Sequence, residues 1–303
     1  MGQTASPSTD RRYGLARVCR VLEIPRSTIY AARSRREAPV VARKRGPKTA
    51  WTDAELTEQI RAVLVRSPFV GEGYRKVWAR LRLAGVRAGK PRVLRLMREA
   101  GLLAPTRTGQ PHGPAAHDGT IIPERPDAMW GIDATAGWTA EGTATVFIAV
   151  DHFTAECVGI HAARRGTRFE ALEPLRQGVR QYFDGYREGI AAGLALRHDH
   201  GSQFMSDHFQ TELRFLGIAS SPAFVREPEG NGCAERFIRT LKEQLLWIER
   251  FETVEALRLA LLAFKDRYNR EWLIERHGHR SPASARAAFR PAGGPPPVPG
   301  LAA

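Results

Sequence analysis

Three carboxylates fall where phosphoryl-transfer chemistry could use them. Asp199 stands in Arg197-His198-Asp199-His200-Gly201-Ser202-Gln203-Phe204, directly after the apolar run Leu194-Ala195-Leu196. Glu235 stands in Asn231-Gly232-Cys233-Ala234-Glu235-Arg236-Phe237-Ile238-Arg239-Thr240-Leu241-Lys242-Glu243, with 35 residues, 200 to 234, between it and Asp199. The third, Asp133, follows Met129-Trp130-Gly131-Ile132. In-line attack on a phosphodiester builds charge on the incoming and leaving oxygens, and two divalent ions about 3.5 to 4 Å apart stabilise both. Such ions take hard oxygen ligands, so Asp133, Asp199 and Glu235 are the candidate metal ligands and catalytic residues, and the flanking His198 and His200 are not needed.

Plainer readings compete. Glu235 and Arg239 are an i,i+4 pair of a kind common on solvated helices. Gly230-Asn231-Gly232 just upstream argues for a flexible approach rather than a plain helix start. Asp151 also ends a strand-like run, but the next run begins within a few residues, so it reads as a turn residue; Asp207 reads as a helix cap or start. On the helix from Gly232, Ala234, Phe237, Ile238, Leu241 and Leu245 make an apolar stripe. Glu235, Arg239 and Lys242 share the opposite face, a carboxylate for metal beside cations for phosphate.

The elements that must hold these residues are mixed α/β. Met129–Ile132, Thr145–Val150, Cys157–His161, Leu194–Arg197 and Ile218–Ser221 read as strands, and 168–183, 204–216, 232–250 and 254–268 as helices. Three hairpin-like strands followed by alternating helices and strands predict a mixed five-stranded sheet with helices on both faces. Asp133 and Asp199 would then sit at strand ends, rigid and open to solvent.

Upstream the chain is helical and basic. Residues 1–120 hold 24 Lys+Arg against 9 Asp+Glu, while 121–303 hold 22 against 23, so the net +14 belongs to the N-terminal part. A basic region beside a neutral one suggests a polyanion-binding module joined to a domain with another task. Residues 1–10 read as a disordered start and 11–38 as a helix-turn-helix candidate: Leu15, Val18, Cys19 and Leu22 form one stripe, and Ser27 or Thr28 could cap a second helix that places Ser27, Thr28 and Arg33 against DNA. Residues 39–50 read as a basic linker and 51–105 as a second helical DNA-binding module, with a Thr52 or Asp53 cap, a helix from Tyr74 to Leu81 and another after Lys90-Pro91. Arg92, Arg95 and Arg98 recur every three residues along one exposed face; with Lys90, Arg75 and Lys76 they are the module's candidate DNA contacts. The bland alternative for these cations is a solvated basic surface. Residues 106–126, rich in Gly, Pro and His, read as a linker, 127–290 as the catalytic core with its C-terminal helices and 291–303 as a disordered tail.

Cys19, Cys157 and Cys233 are odd in number, far apart and outside any CxxC pair, which argues against a disulfide framework and a zinc ribbon. The sequence has no apolar run of 18 residues and no charged-then-apolar N-terminus, which predicts neither a membrane span nor a secretory signal and a cytoplasmic location.

At these residues the chain resembles the DDE transposases encoded by the downstream frame of bacterial insertion sequences, the IS-three family, whose core is similar to retroviral integrase. The likeness covers nearly all of 11–290. It is carried by His198-Asp199-His200-Gly201-Ser202-Gln203-Phe204, the spacing to Glu235, and Lys242 seven residues beyond it. Gly73-Tyr74-Arg75-Lys76-Val77, the run Arg92 to Leu102 and Ser281-Pro282-Ala283-Ser284-Ala285 look like the family's helical module and C-terminal end. The resemblance implies an RNase H-like fold, two Mg2+ ions on Asp133, Asp199 and Glu235 with Mn2+ able to substitute, and double-stranded DNA, both element ends and target, as partner. It further implies homo-oligomers at synapsis and an upstream-frame partner protein. Water would expose a 3′-hydroxyl at the element end, and that hydroxyl would attack a second phosphodiester. Other classes remain open: a catalytically inactive DNA-binding remnant or regulator, or an RNase H-type nuclease.

Overall fold

A run apolar at every position, Val146 to Val150, cannot face water on either side, and the strand it forms is buried on both faces. This is β2 (Gly142–Asp151), second in a five-stranded sheet of order β3-β2-β1-β4-β5. β1 (Met129–Thr139) and β3 (Cys157–Ala163) pair with it antiparallel, while β4 (Ala195–His198) and β5 (Ala219–Pro222) continue parallel to β1. The expected mixed sheet is present in this computed structural model, which describes residues 4–37, 50–105, 123–223 and 231–289. The expected linkers at 39–50 and 106–126 fall mostly, and the tail 291–303 wholly, outside those residues.

The chain divides into two units, residues 1–50 and 51–303. In the first, α1 (Leu15–Val21) and α2 (Arg26–Glu37) are present, but the expected stripe is not closed: Cys19 is buried and Leu22 is half exposed. α2 starts at Arg26, so Ser27 and Thr28 lie inside its first turn, and the Thr28 N–H bonds to the Pro25 carbonyl. In place of a structureless start, Ala5 and Arg12 pair antiparallel.

The second unit begins with α3 (Asp53–Arg66), α4 (Tyr74–Leu83) and α5 (Lys90–Glu99) around Leu56, Ile60, Val77, Leu81, Val93 and Met97. Thr52 and Glu55 close a reciprocal capping box on α3, satisfying two backbone donors. Helices cover both faces of the sheet, as the alternation predicts. On one face Trp130, Ile132, Phe147 and Val158 pack under α6 (Arg168–Ala171), α7 (Glu173–Tyr182), α8 (Ser202–Met205) and α9 (Asp207–Leu216). On the other, Val146, Ile148 and Ile160 pack under α10 (Gly232–Leu241) and α11 (Val254–Glu271). α12 (Pro282–Ala288) follows, tied to the core by Arg286, which pairs with Asp127 and Glu156.

Three expected elements differ. The helix over 168–183 is two pieces, because Pro174 in the first turn of α7 cannot continue α6. The helix over 204–216 divides at Ser206, whose hydroxyl caps α9. The helix from Gly232 does not run on as an α-helix to Arg250; past Leu241 it widens into a π turn, Lys242–Leu246, closed by a bond from the Trp247 N–H to the Lys242 carbonyl. The helical module and the core are also not separate bodies. The α3–α4 loop inserts Phe69 into the apolar cluster of Leu241, Leu245, Phe251 and Phe264, edge-on to Trp272 with 4.9 Å between centroids.

Candidate active site

Asp133 is not at a strand end. β1 runs past it to Thr139, and Asp133 faces Ile148 across the hairpin ladder. Ala134–Gly137 carries no alternation, so the sequence offered nothing to extend the strand; β2 pairs with it along its whole length and does so. On the other side Gly131 pairs with Arg197 of β4. That is the last pair of the register, so Asp133 and Asp199 each lie two residues beyond it on neighbouring strands, Asp199 directly after His198, and the Asp199 charge acts on Asp133. Strand alternation sends Trp130 and Ile132 into the α7–α9 layer and therefore Gly131 and Asp133 toward α10.

Asn231 brings the third carboxylate to that side. Its amide donates to the Ile132 carbonyl at 2.9 Å, immediately before Asp133, and Glu235 is one turn further along the same helix face. The close fit needs Gly131: a Cβ there would fall 2.4 Å from Asn231 Oδ1 and 2.7 Å from His152 Nε2. The expected flexible approach to the helix is therefore fixed at Asn231, which is buried; Gly230 lies outside the described residues.

The charges of the cluster act on one another. Burial pushes the Asp133 carboxyl up to about 6; the negative charges of Asp199 and Glu235 add to this, while the Ala134 N–H, donating at 2.7 Å, and Lys242 oppose it. Burial also raises Glu235, against the pull of Arg239. Asp199 Oδ1 accepts from the Gly201 N–H at 2.8 Å. His198 is buried beneath it, its ring nitrogens 2.7 Å from the Asp199 carbonyl and 2.9 Å from Ser220 Oγ, and burial lowers its pKa. Three hard-oxygen donors within electrostatic reach suit a hard divalent cation, which would relieve their repulsion. They stand apart from ligating distance: among the described residues no three His, Cys, Asp or Glu side chains are grouped closely enough to hold one ion.

Asp151 is a structural residue, fully buried and accepting from the backbone of Thr154 and Asp127 and from the Thr154 hydroxyl. Cys233, on α10, has its thiol pushed up to about 11 by burial and faces the Asp151 carbonyl. The residues that sequence reading missed are Asn231, Gly131 and His152; an Asn immediately before a predicted helix was the available signal for the first.

The cations expected to meet DNA divide into two groups. Arg92 and Arg95 do not form a free row with Arg98. Both reach Asp53, at 2.6 Å each, Arg92 also bonds the Trp51 carbonyl, and Arg95 also pairs with Glu99. These guanidinium groups hold Asp53 below the usual carboxylate range and fasten α5 to the start of α3. Arg75 and Lys76 face the core: Arg75 pairs with Glu275 at 2.9 Å, and Lys76 lies over the Trp272 ring. Lys90 lies 4.4 Å from the Trp78 ring centroid, a ring shared with Arg82. Arg98 and Arg239 are exposed and make no ion pair among the described residues. Ser27, Thr28 and Arg33 are exposed on α2 of the separate first unit. Lys242 is half-buried at the start of the π turn.

Comparison with known proteins adds families to this geometry. Residues 51–110 match the HTH-like domain and residues 216–282 the integrase core domain, the latter including Glu235. A transposase for the insertion sequence element IS629 of Shigella sonnei is 28% identical over 287 residues, 92% of this chain and 93% of that one. Transposase InsD for an IS2 insertion element of Escherichia coli is 27% identical over 78% of this chain and 79% of that one. Among solved structures, the catalytic core domain of BIV integrase is 20% identical, covers 53% of this chain and 94% of that one, and has a TM-score of 0.41. A simian T-cell lymphotropic virus intasome is 16% identical over 83% of this chain and 80% of that one, with a TM-score of 0.47. No helix among the described residues is long and apolar enough to cross a membrane. With an HTH-like domain leading into an integrase core, and insertion-sequence relatives matched along most of their length, the chain is similar to the insertion-sequence transposases.

Proposed function

We propose that this chain binds the two ends of a DNA element, cleaves them and joins the freed 3′ ends to target DNA, with Asp133, Asp199 and Glu235 as its catalytic carboxylates. The observation that carries the reading is that Asp133 and Asp199 each follow the paired Gly131 and Arg197 by two residues, with Asn231 anchoring the Glu235 helix to the carbonyl before Asp133. The IS629 and IS2 relatives are named as transposases, which supports the same activity. The three carboxylates would hold two divalent cations, Mg2+ with Mn2+ able to substitute. Bound there, the ions would stabilise charge on the attacking and leaving oxygens.

The chain's own residues do the rest. Lys242 and Arg239 hold the phosphate beside the carboxylates, and Arg98 and Lys90 follow the DNA backbone on the helical module. In the first reaction water adds to phosphorus and the 3′ oxygen of the element end leaves. In the second that 3′ oxygen attacks a target phosphodiester, forming one P–O bond as the target's own 3′ oxygen departs. Two ends held together require at least a dimer of the chain, acting in the cytoplasm on nucleoid DNA.

The test is to mix the purified full chain with a duplex carrying the ends of the element that encodes it, a supercoiled plasmid and Mg2+. Covalent joining of the duplex to the plasmid is expected, lost in EDTA and restored by Mn2+. A chain that binds the duplex but neither cuts nor joins it in either metal is a DNA-binding regulator instead. One that only degrades the duplex is a nuclease.

A further inference from the structure

The π turn lies between two things that the rest of the chain keeps apart. Its first residue, Lys242, is half-buried directly after α10, seven positions past Glu235 and so on the Glu235 side of that helix. Its third, Gln244, is bound to the helical module. Gln244 Oε1 accepts from the Val70 N–H at 2.9 Å, and Gln244 Nε2 donates to the Val70 carbonyl at 2.9 Å, so one side-chain amide closes a two-way bridge to one backbone unit. Residues two apart on a helix project to nearly opposite sides, about 200° of turn in an α-helix, so the same turn presents Lys242 to the site and Gln244 to the module.

The two parts of this contact have different uses. Phe69, next to Val70, is 3% exposed and supplies the apolar anchor of the module on the core, with Arg75–Glu275 and Lys76 over Trp272 alongside it. An apolar plug is non-directional; it holds the surfaces together without fixing their register. The Gln244 bridge is partly exposed, so it contributes little energy, but both of its bonds are directional and both end on backbone. It is suited to setting an angle rather than to holding a domain.

We propose that Gln244 is a positioning residue for Lys242: by clamping the π turn to the Val70 backbone, it sets how Lys242 meets the carboxylate cluster and joins the module that holds DNA rigidly to the turn that handles the phosphate. The inference rests on the reading of the site given under Proposed function. It also makes the α3–α4 loop part of the catalytic apparatus, although no residue of that loop reaches the carboxylates.

The test is a double-mutant cycle on the full chain, using the element-end duplex and plasmid as probe. The variants are Gln244→Leu, which keeps the volume and removes both bonds, Lys242→Ala, and the two together. For Gln244→Leu, duplex binding is expected to stay within about twofold and the unfolding midpoint within a few degrees, while single-turnover joining at saturating duplex falls roughly tenfold, as misplacement of a reacting group does. Because Gln244 acts through Lys242, the double variant should join no more slowly than Lys242→Ala alone. Gln244→Glu keeps the bond from the Val70 N–H and should retain more activity than Gln244→Leu; it replaces the latter in the cycle should the latter not fold. Losses that multiply in the double variant, or full joining by Gln244→Leu where Lys242→Ala is impaired, overturn the coupling and leave the site reading intact. Full joining by Lys242→Ala overturns the coupling as well, and joining by Asp199→Asn is the result that removes the site reading beneath it.

Discussion

Asp133→Asn is expected to lower joining by roughly a thousandfold or more, since ion-mediated charge stabilisation contributes several kcal/mol to the transition state. The same variant should be more stable than the natural chain in metal-free buffer at neutral pH. The Asp133 carboxyl rises from 3.8 to about 6 because its charged form is held in a buried place beside two other carboxylates. Its ionisation therefore opposes folding, by roughly 1 to 3 kcal/mol once solvent screening is allowed for. The sign follows from which state takes up the proton first. As pH falls from 6 toward 4 the native state protonates before the unfolded one, so the penalty is full above about pH 6 and is gone below about pH 4. Asn has the same shape, keeps an oxygen for the Ala134 N–H and carries no charge at any pH. The difference in unfolding midpoint between Asp133→Asn and the natural chain should thus close between pH 6 and pH 4. Millimolar Mg2+ should also narrow it by stabilising the natural chain alone. A variant that is inactive and also less stable at pH 7 would mean that Asp133 is a structural residue.

Arg80→Ala is expected to cost about 3 to 5 kcal/mol, the range for removing one partner of a buried ion pair. The Glu72 side chain is 1% exposed and meets Arg80 through two contacts, 2.5 and 2.9 Å, with the Ser67 hydroxyl donating to the same carboxylate at 2.8 Å. Arg80 also lies over the Phe69 ring and reaches the Glu271 carbonyl, so it supports the loop that enters the core. Without it, a charged carboxylate is left in a dry place. The double variant Arg80→Met with Glu72→Leu should recover most of the loss, because it removes the stranded charge along with its partner. Denaturant unfolding measures both. A cost below about 1 kcal/mol for Arg80→Ala, the range of exposed pairs, would mean that this pair stays hydrated in solution.

Much of the fold was legible because its signals are local. Thr52 and Glu55 have the spacing of a capping box, Pro91 suits a first turn, and the stripe from Ala234 to Leu245 is buried as its period requires. The candidate carboxylates are marked out by their neighbours along the chain. Features that depend on a distant partner could not be read. Arg92, Arg95 and Arg98 have one sequence period, yet the first two are bound by Asp53, about 40 residues away on another helix, and the third is not. The length of β1 is set by β2, and the Ala-Gly-rich stretch after Asp133 has no pattern to announce it. Asn231 looked like part of a flexible approach because its partner, the Ile132 carbonyl, is 99 positions earlier. The π turn has no residue signature, and it decides where Lys242 and Gln244 point.

The central claim is that Asp133, Asp199 and Glu235 form one catalytic cluster whose carboxylates are not needed to hold DNA. The measurement that tests it most directly compares Asp199→Asn with the natural chain for binding of the element-end duplex and for its joining to plasmid in Mg2+. Asp199 is exposed at the end of β4, so the substitution leaves the core untouched. Binding within a few-fold of the natural chain, with joining reduced to background, is the predicted result. Joining that persists in Asp199→Asn would contradict the account.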